Sequence, residues 1–297
     1  MTKSVFLTLS GRTNAGKSTL LNALIGEKIA SVSSKPQTTR TRITGILTKD
    51  ETQYVFIDTP GLHKPKTKLS SHMLKAAQDS AKDADVVLYV IDCTKKLHEQ
   101  DEEMLKAITD RHIQCIIVVN KVDLLTDKSA MMPLLLRLEN TYHPHAIIPV
   151  SAQTKDGIDE IMQVASELAQ PSVHFFPDDS FTDQPERVLA AEMIREKILR
   201  LLNDEVPHGI AVTVEKMRER DDKDLLDISA VIYCERESHK GIVIGKGGSM
   251  LKKIASAARH DLEQFFEIQV NLQCFVKVKE DWRNKEGLIR SFGLTEE

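Results

Sequence analysis

Five short strings stand in one order along the first half of the 297-residue chain: GRTNAGKS at 11–18, Thr38-Thr39, DTPG at 58–61, NKVD at 120–123, and Ser151-Ala152. The first has the phosphate-loop spacing, two glycines with four residues between them and then Lys and Ser. It follows the strand-like run Val5, Phe6, Leu7, Thr8 and Leu9. Gly11 permits a tight turn, and Gly16 lets backbone N–H groups approach phosphates with no Cβ in the way. Arg12, Thr13, Asn14 and Ala15 complete the loop. The helix predicted to begin near Lys17, Ser18 and Thr19 adds its N-terminal partial positive charge. Lys17 would reach the β- and γ-phosphates, and the Ser18 hydroxyl would take one Mg²⁺ position. Alone, this string also fits an ATPase or a kinase.

The later strings choose the base. NKVD follows the apolar run at 115–119, and there Asp123 can accept two hydrogen bonds from the N1–H and N2–H₂ donors of guanine. Adenine lacks that donor pair, so ATP should be rejected by roughly 10⁴-fold, the scale reached when a designed polar contact is missing. Asn120 and Lys121, with Val122 between them and Asp123, would buttress the loop and lie along the base. Ser151-Ala152, after the run at 146–150, would close over the O6 edge.

Switch chemistry falls to the remaining strings. Asp58 follows the run at 53–57 and would hold Mg²⁺ through water. Thr59 and Pro60 lead to Gly61, whose N–H would face the γ-phosphate, with Leu62 next in the loop. Thr39, in the polar stretch 31–44, would reach Mg²⁺ only when γ-phosphate is present, and Thr38 is the neighbouring candidate. Both loops should order with GTP and relax after hydrolysis to GDP. Leu62 cannot orient an attacking water. Catalysis is therefore assigned to Lys17, Gly61 and Asn14, an asparagine able to place K⁺ against the phosphates; the competing role for Asn14 is a simple loop cap. Turnover should lie below the enzyme median of ~10 s⁻¹ and rise with K⁺ or a partner. His63 reads as a solvated group on the same loop, and Lys64, Lys66 and Lys68 as an exposed basic stretch open to RNA or anionic lipid.

A 297-residue chain with 41% hydrophobic content is long enough for two domains with ordinary cores. No run approaches the ~20 apolar residues of a membrane span, and the N-terminus enters a strand rather than a signal peptide, so a cytoplasmic protein is expected. Cys93, Cys115, Cys234 and Cys274 lack CxxC spacing and lie in or beside apolar runs, as reduced core residues do. The stretch 131–138 reads as core or helix packing. Apolar runs at 5–9, 54–57, 86–91, 115–119 and 146–150 alternate with helical stretches at 18–24, 99–109 and 158–168. That pattern is an α/β, doubly wound, mainly parallel sheet. The boundaries expected are 1–172 for this P-loop domain, 173–186 for a linker rich in Pro, Asp, Ser and Phe, and 187–297 for a second, α+β domain.

The second domain opens with a helix at 187–202. A strand at 210–217 and a strand with clear period-two alternation at 226–234 follow, joined by the charged turn 219–224. After GIVIGKGGSMLKKI come a helix with Leu251, Ile254, Ala258, Leu262 and Phe265 at helical spacing and a last strand at 268–278. The order αββααβ, with Gly245, Lys246, Gly247 and Gly248 between the last two helices, is the type II KH arrangement that clamps about four nucleotides. Over 236–259 the basic residues Arg236, Lys240, Lys246, Lys252, Lys253 and Arg259 face the single acid Glu237. Over 176–297 as a whole, 19 Lys and Arg stand against 24 Asp and Glu. A local basic cleft on an acidic body favours a short, selective single-stranded site over a general polyanion binder. Ile242, Ile244 and Ile254 are the candidates for an apolar floor under the bases.

With GRxNxGKST, QTTR, FIDTPGLH and NKVD joined to ERxSHKGIVIGKGG and VKVKxxW, nearly the whole chain resembles the bacterial Era family of ribosome-assembly GTPases. The resemblance implies a GTP-hydrolysing, Mg²⁺-dependent switch that binds 16S rRNA near its 3′ end and acts in assembly of the 30S subunit. It further implies a monomer with peripheral contact at the inner face of the cell membrane. Thr13 and Ala15 stand where the family usually has Pro and Val, and Phe265-Phe266-Glu267 lacks the glycine usual before the last strand, so the turn there should differ. Three other readings compete: a nucleotide-metabolising P-loop enzyme, a constitutive RNA-binding module with a structural GTP site, and a membrane-associated regulatory GTPase.

Overall fold

Strands whose residues are apolar without alternation must be buried on both faces, and the central strands here are of that kind. The computed structural model describes residues 1–33, 35, 38–61, 67–80 and 84–295, with the backbone alone over 76–80. It divides into two units: Met1–Ala30, Thr39–Lys64 and Met73–Asp183, and Ser31–Thr38, Pro65–His72 and Gln184–Glu297.

The first unit is built on β1 (Lys3–Ser10), β2 (Ile43–Lys49), β3 (Thr52–Asp58), β4 (Val86–Asp92), β5 (Gln114–Asn120), β6 (Ala146–Val150) and the short β7 (Gln170–Pro171). The strand order is β2-β3-β1-β4-β5-β6, with β7 antiparallel to the start of β1. All other neighbours are parallel except β2, which pairs antiparallel with β3. Helices α1 (Lys17–Ile25), α3 (Glu99–Asp110), α4 (Met132–Tyr142) and α5 (Ile158–Leu168) belong to this unit, while α2 (Lys68–Ser80) starts in the second and ends in the first. Val87, Tyr89, Ile91, Ile117 and Val119 pack with Leu105, Ile108, Leu138 and Tyr142 on one side of the sheet. The register sets Leu9 beside Asp58, Asp92 beside Asn120 and Asn120 beside Val150, so the strings that end these strands gather along one carboxyl edge.

Two elements differ from the sequence expectation. The polar stretch read as a loop through residue 44 gives way at Ile43 to the edge strand β2. The proline-rich segment after β7 is fastened to the first unit rather than hanging free. The fully buried Gln53 accepts from the N–H groups of Phe175 at 2.7 Å and Phe176 at 3.0 Å, and donates to the Phe176 carbonyl at 2.9 Å. Ile46 N–H donates to the Phe181 carbonyl and Thr182 Oγ1 to the Thr44 carbonyl, which covers the open side of β2.

The second unit holds α6 (Glu186–Leu201), β8 (Ala211–Glu219), β9 (Leu225–Cys234), α7 (Glu237–Ile244), α8 (Ser249–Phe266), β10 (Gln269–Val278) and α9 (Glu286–Ser291). Central β9 pairs antiparallel with β8, through an irregularity between Val214 and Lys216, and parallel with β10. Its alternate residues Leu226, Ile228, Ala230, Ile232 and Cys234 share a core with Ile194 and Ile198 of α6 and Ile254, Ala258 and Leu262 of α8. Trp282 is fully buried, with Nε1 donating to the Gly209 carbonyl at 2.9 Å. All four cysteines are free thiols, Cys115 and Cys234 buried, Cys93 and Cys274 partly so.

At the end of α8 the chain turns through the left-handed conformation at Glu267, φ 53° and ψ 27°. The turn thus keeps a shape that suits glycine although its residue carries a Cβ. A non-glycine residue there costs about 1–2 kcal/mol, partly offset by the freedom glycine loses on folding. Glu267→Gly is therefore expected to stabilise the chain by about 0.5–1 kcal/mol, read as a higher urea midpoint with an unchanged slope.

Candidate functional site

The first turn of α1 is built to receive an anion. Its N-cap, Gly16, has φ 101°; no side chain caps the helix and no acid lies in its first turn. Gly11, at φ 136°, closes the turn after β1, where a Cβ would collide with the Val90 carbonyl. Lys17 is buried, and its ammonium donates to the Gly11 and Arg12 carbonyls at 3.0 Å each. Burial pushes that ammonium below its usual pKa, against the pull of the Asp58 and Asp101 carboxylates. Arg12, Thr13, Asn14 and Thr19 are partly exposed and Ala15 is buried. Gly61 packs so tightly on this loop that a Cβ would stand 2.8 Å from Thr13 Cα.

Beside the lysine lies a cluster of oxygen atoms. Ser18 Oγ donates to Asp58 Oδ2 at 2.7 Å and lies 2.7 Å from Thr39 Oγ1, which itself donates to Asp58 Oδ2 at 3.3 Å. Asp58 is fully buried and, among the described residues, its Oδ1 has no hydrogen-bond partner. Burial pushes the Asp58 carboxyl up in pKa, while Lys17, Ser18 and Thr39 oppose that shift. Two hydroxyls and a carboxylate with a spare oxygen match the hard oxygen donors that Mg²⁺ prefers. Of the two threonines, it is Thr39 that joins this cluster; Thr38 Oγ1 donates instead to the Lys35 carbonyl at 2.7 Å. Thr59 Oγ1 donates to the Leu9 carbonyl at 2.9 Å, and Pro60 and Gly61 are buried. Leu62, His63, Lys64 and Lys66 lie outside the described residues.

The base-side strings meet at Asn120, almost wholly buried at the end of β5. Its Nδ2 donates to the Ala15 carbonyl at 2.9 Å, and its Oδ1 accepts from the N–H groups of Lys121 at 2.8 Å and Ala152 at 3.0 Å. One side chain thereby ties the phosphate loop to NKVD and to the 151–152 turn. Lys121, left-handed at φ 70°, reaches back to the Asn14 carbonyl and to Asp92 Oδ2, each at 2.7 Å. Val122 is buried, Asp123 exposed, and buried Ser151 accepts from the Thr154 N–H at 3.2 Å. Asp92 belongs to none of the strings. The signal that would have found it is an acid closing a wholly apolar strand at the carboxyl edge.

In the second unit, Gly245, Gly247 and Gly248 all have positive φ, 72°, 59° and 79°. A Cβ on Gly247 or Gly248 would meet nothing within 4 Å, so the backbone there is open to close approach. Helix α8 begins at this turn with no acid in its first turn. Lys246, Lys252 and Lys253 are exposed nearby, and Lys240 lies 3.8 Å from Glu237. Ile242 is half exposed and Ile244 partly buried, both available to apolar faces. Ile254 is a correction: it sits fully buried in the core, because the helical period turns it onto β9 and away from the surface.

Family models match both units, a 50S ribosome-binding GTPase over residues 6–121 and a KH domain over 205–283. GTPase Era of Clostridioides difficile is 47% identical over 296 residues, covering the whole of both chains, and that of Ruminiclostridium cellulolyticum 45% over 291 residues, covering 98% of this chain and 97% of its own. Two solved structures superpose with TM-scores of 0.95 at 36% identity. One is an Aquifex aeolicus Era variant bound to GDP·AlF₄⁻, covering 99% of this chain and 100% of its own; the other is Era in complex with MgGDPNP and nucleotides 1506–1542 of 16S ribosomal RNA, covering all of both. Fold and site together define a P-loop GTPase that carries a KH domain. The chain belongs to the Era family of GTPases.

Because Asn120 satisfies groups in three loops, truncating it leaves a buried carbonyl and two N–H groups unpaired. Asn120→Ala should cost about 2–3 kcal/mol in the nucleotide-free chain, measured by urea unfolding.

Proposed function

We propose that the chain is a GTP-hydrolysing switch whose nucleotide state controls how its KH domain holds the 3′ region of 16S rRNA during assembly of the 30S subunit. Lys17 is poised to exchange the Gly11 and Arg12 carbonyls for phosphate oxygens, Asp123 to pair with guanine, and Gly61 N–H to meet the terminal phosphate. Ser18 and Thr39, with Asp58 through water, would hold Mg²⁺, which when bound neutralises charge on the β- and γ-oxygens. Lys240, Ile242, Ile244, Lys252 and Lys253 flank the 245–248 turn as the RNA clamp.

The observation that carries the switch reading lies at two consecutive residues. The Thr38 carbonyl accepts from the guanidinium of Arg195, while the Thr39 hydroxyl meets Ser18 and Asp58. The same segment is held to α6 by Ser31 Oγ donating to the Glu192 carbonyl at 2.9 Å, Val32 N–H to Glu196 at 3.0 Å and Arg200 Nε to the Val32 carbonyl at 3.1 Å. Drawing Thr39 toward a cation therefore pulls on a segment already engaged with α6. A ligand shifts such an equilibrium only by its differential affinity for the two states.

The test is RNA affinity measured with GDP, with a GTP analogue and with no nucleotide, for the parent and Gly247→Asp. At φ 59° with open space around it, Asp meets no steric clash at this position, at the backbone cost of a non-glycine residue in the left-handed region, and it sets a negative charge against the sugar–phosphate backbone. The parent should bind a 16S 3′-end RNA most tightly with the GTP analogue, and Gly247→Asp should lose at least tenfold in every state. Equal parental affinities in all three states would leave a constitutive RNA-binding module with a structural GTP site.

Asn14 is assigned the K⁺ role within the same proposal. GTP turnover should be faster in KCl than in NaCl at equal ionic strength, and Asn14→Ala should remove the difference. Cytoplasmic location with peripheral contact at the inner membrane face also belongs to the proposal. No helix among the described residues is long and apolar enough to cross a membrane. Lys68 of the basic stretch is exposed, 3.8 Å from Glu286.

A further inference from the structure

Asp92 ends β4 with most of its surface covered, and its two oxygens serve different partners. Oδ1 accepts from the Thr94 N–H at 3.0 Å and the Thr94 hydroxyl at 2.6 Å, closing the turn after the strand. Oδ2 accepts from the Lys121 ammonium at 2.7 Å, with Lys95 Nζ 3.4 Å away on the exposed side. Lys121 passes the constraint on, because the same ammonium donates to the Asn14 carbonyl of the phosphate loop at 2.7 Å. The register brings this about: Asp92 lies directly beside Asn120, one residue before the lysine. Burial raises the pKa of Asp92, but its hydrogen bonds from Lys121 and Thr94 outweigh that and hold the carboxyl below its usual range.

We infer that Asp92 is a positioning residue for guanine-nucleotide binding, fixing the Lys121 stem for the base while the lysine's ammonium ties down the phosphate loop at Asn14. The inference rests on the reading of NKVD as the base-recognition string. A free lysine side chain carries about 2 kcal/mol of rotamer entropy. Held at its far end by Asp92 and the Asn14 carbonyl, Lys121 has little of that freedom left to lose on binding, which is the physical content of preorganisation. The backbone alone does not supply this order, since Lys121 occupies a left-handed conformation that its residue type does not favour. If Asp92 served the turn alone, its Oδ1 bonds to Thr94 would suffice, and an amide could accept them equally well.

That difference provides the experiment. Dissociation constants for a fluorescent GDP are measured for the parent, Asp92→Asn, Lys121→Met and the double variant, with the melting temperature of each nucleotide-free chain as the folding check. Asp92→Asn keeps an acceptor for Thr94 and removes the charge facing Lys121; GDP affinity is expected to fall about 10-fold, the scale of one charge-assisted hydrogen bond. Lys121→Met should lose at least as much, and the double variant should bind within twofold of Lys121→Met, because Asp92 acts through the lysine. Parental affinity in Asp92→Asn, or losses that multiply in the double variant, overturns the inference and leaves the base-string reading standing. Parental affinity in Lys121→Met sinks that reading and the inference with it. Asp92→Ser, which also keeps an acceptor for the turn, repeats the cycle should Asp92→Asn fail to fold.

Discussion

Two opposite charges removed from water at the carboxyl edge of the sheet set the terms for the rest of this structure. Lys17 and Asp58 are both buried, and burial works against the charged form of each, lowering one pKa and raising the other. Neither is fully matched by the protein. The lysine is held by two loop carbonyls rather than by a carboxylate oxygen, and among the described residues Asp58 keeps one buried oxygen without a partner. An arrangement of this kind is poor economy for stability, since breaking or misplacing either partner leaves an uncompensated interior charge. It suits the proposed function, in which a polyphosphate would satisfy the lysine and a hard cation the carboxylate. The glycines at 11, 16 and 61 stand where a Cβ would collide with the Val90 carbonyl, the Asn120 side chain and Thr13 respectively, so each lets neighbouring groups pack closely.

The motif strings were legible because their chemistry is local: a glycine spacing, a lysine and a hydroxyl suffice to write a phosphate loop. Their convergence was legible too, since parallel strands with short connections end on one edge. What escaped the sequence was contributed by partners far along the chain. The edge strand β2 is short of alternation, carrying Thr44, Gly45 and Thr48 among its apolar residues, and its open side is covered by Phe181 and Thr182 from a segment that composition marks as linker. That segment is fastened by Gln53, a residue whose significance no local pattern announces. Asp92, though it closes an apolar run, was passed over because only the pairing of β4 with β5 sets it beside Asn120 and within reach of the lysine of NKVD.

In the KH unit the order of elements was readable and one side-chain direction was not. Ile242, Ile244 and Ile254 look alike in sequence, yet α7 leaves Ile242 half exposed while α8 turns Ile254 into the core with Ala258 and Leu262. A helix assigns faces by its phase, and the 245–248 turn resets that phase between the two helices. The left-handed Glu267 shows the converse. Sequence marked an absent glycine, and the backbone there takes the left-handed conformation that suits glycine while carrying Glu267, between the core residues Leu262 and Val270.

Under the proposed function, the charge distribution accounts for how an acidic unit could hold RNA. Phosphates are drawn by local potential, not by net charge, because charges beyond a Debye length of about 8 Å at physiological salt are largely screened, and Lys246, Lys252 and Lys253 are exposed in and just after the 245–248 turn. The N-terminus of α8 points its free N–H groups into the same place with no acid in the first turn to compete. A patch of so few cations releases few counterions, so in the proposed function its affinity would lean on base contacts and on the close approach that the two adjacent left-handed glycines, Gly247 and Gly248, allow. The acidic remainder would then act as a filter, repelling duplex and long polyanions from the rest of the surface. On the proposed function, selectivity in this unit would come from how little of it is positive.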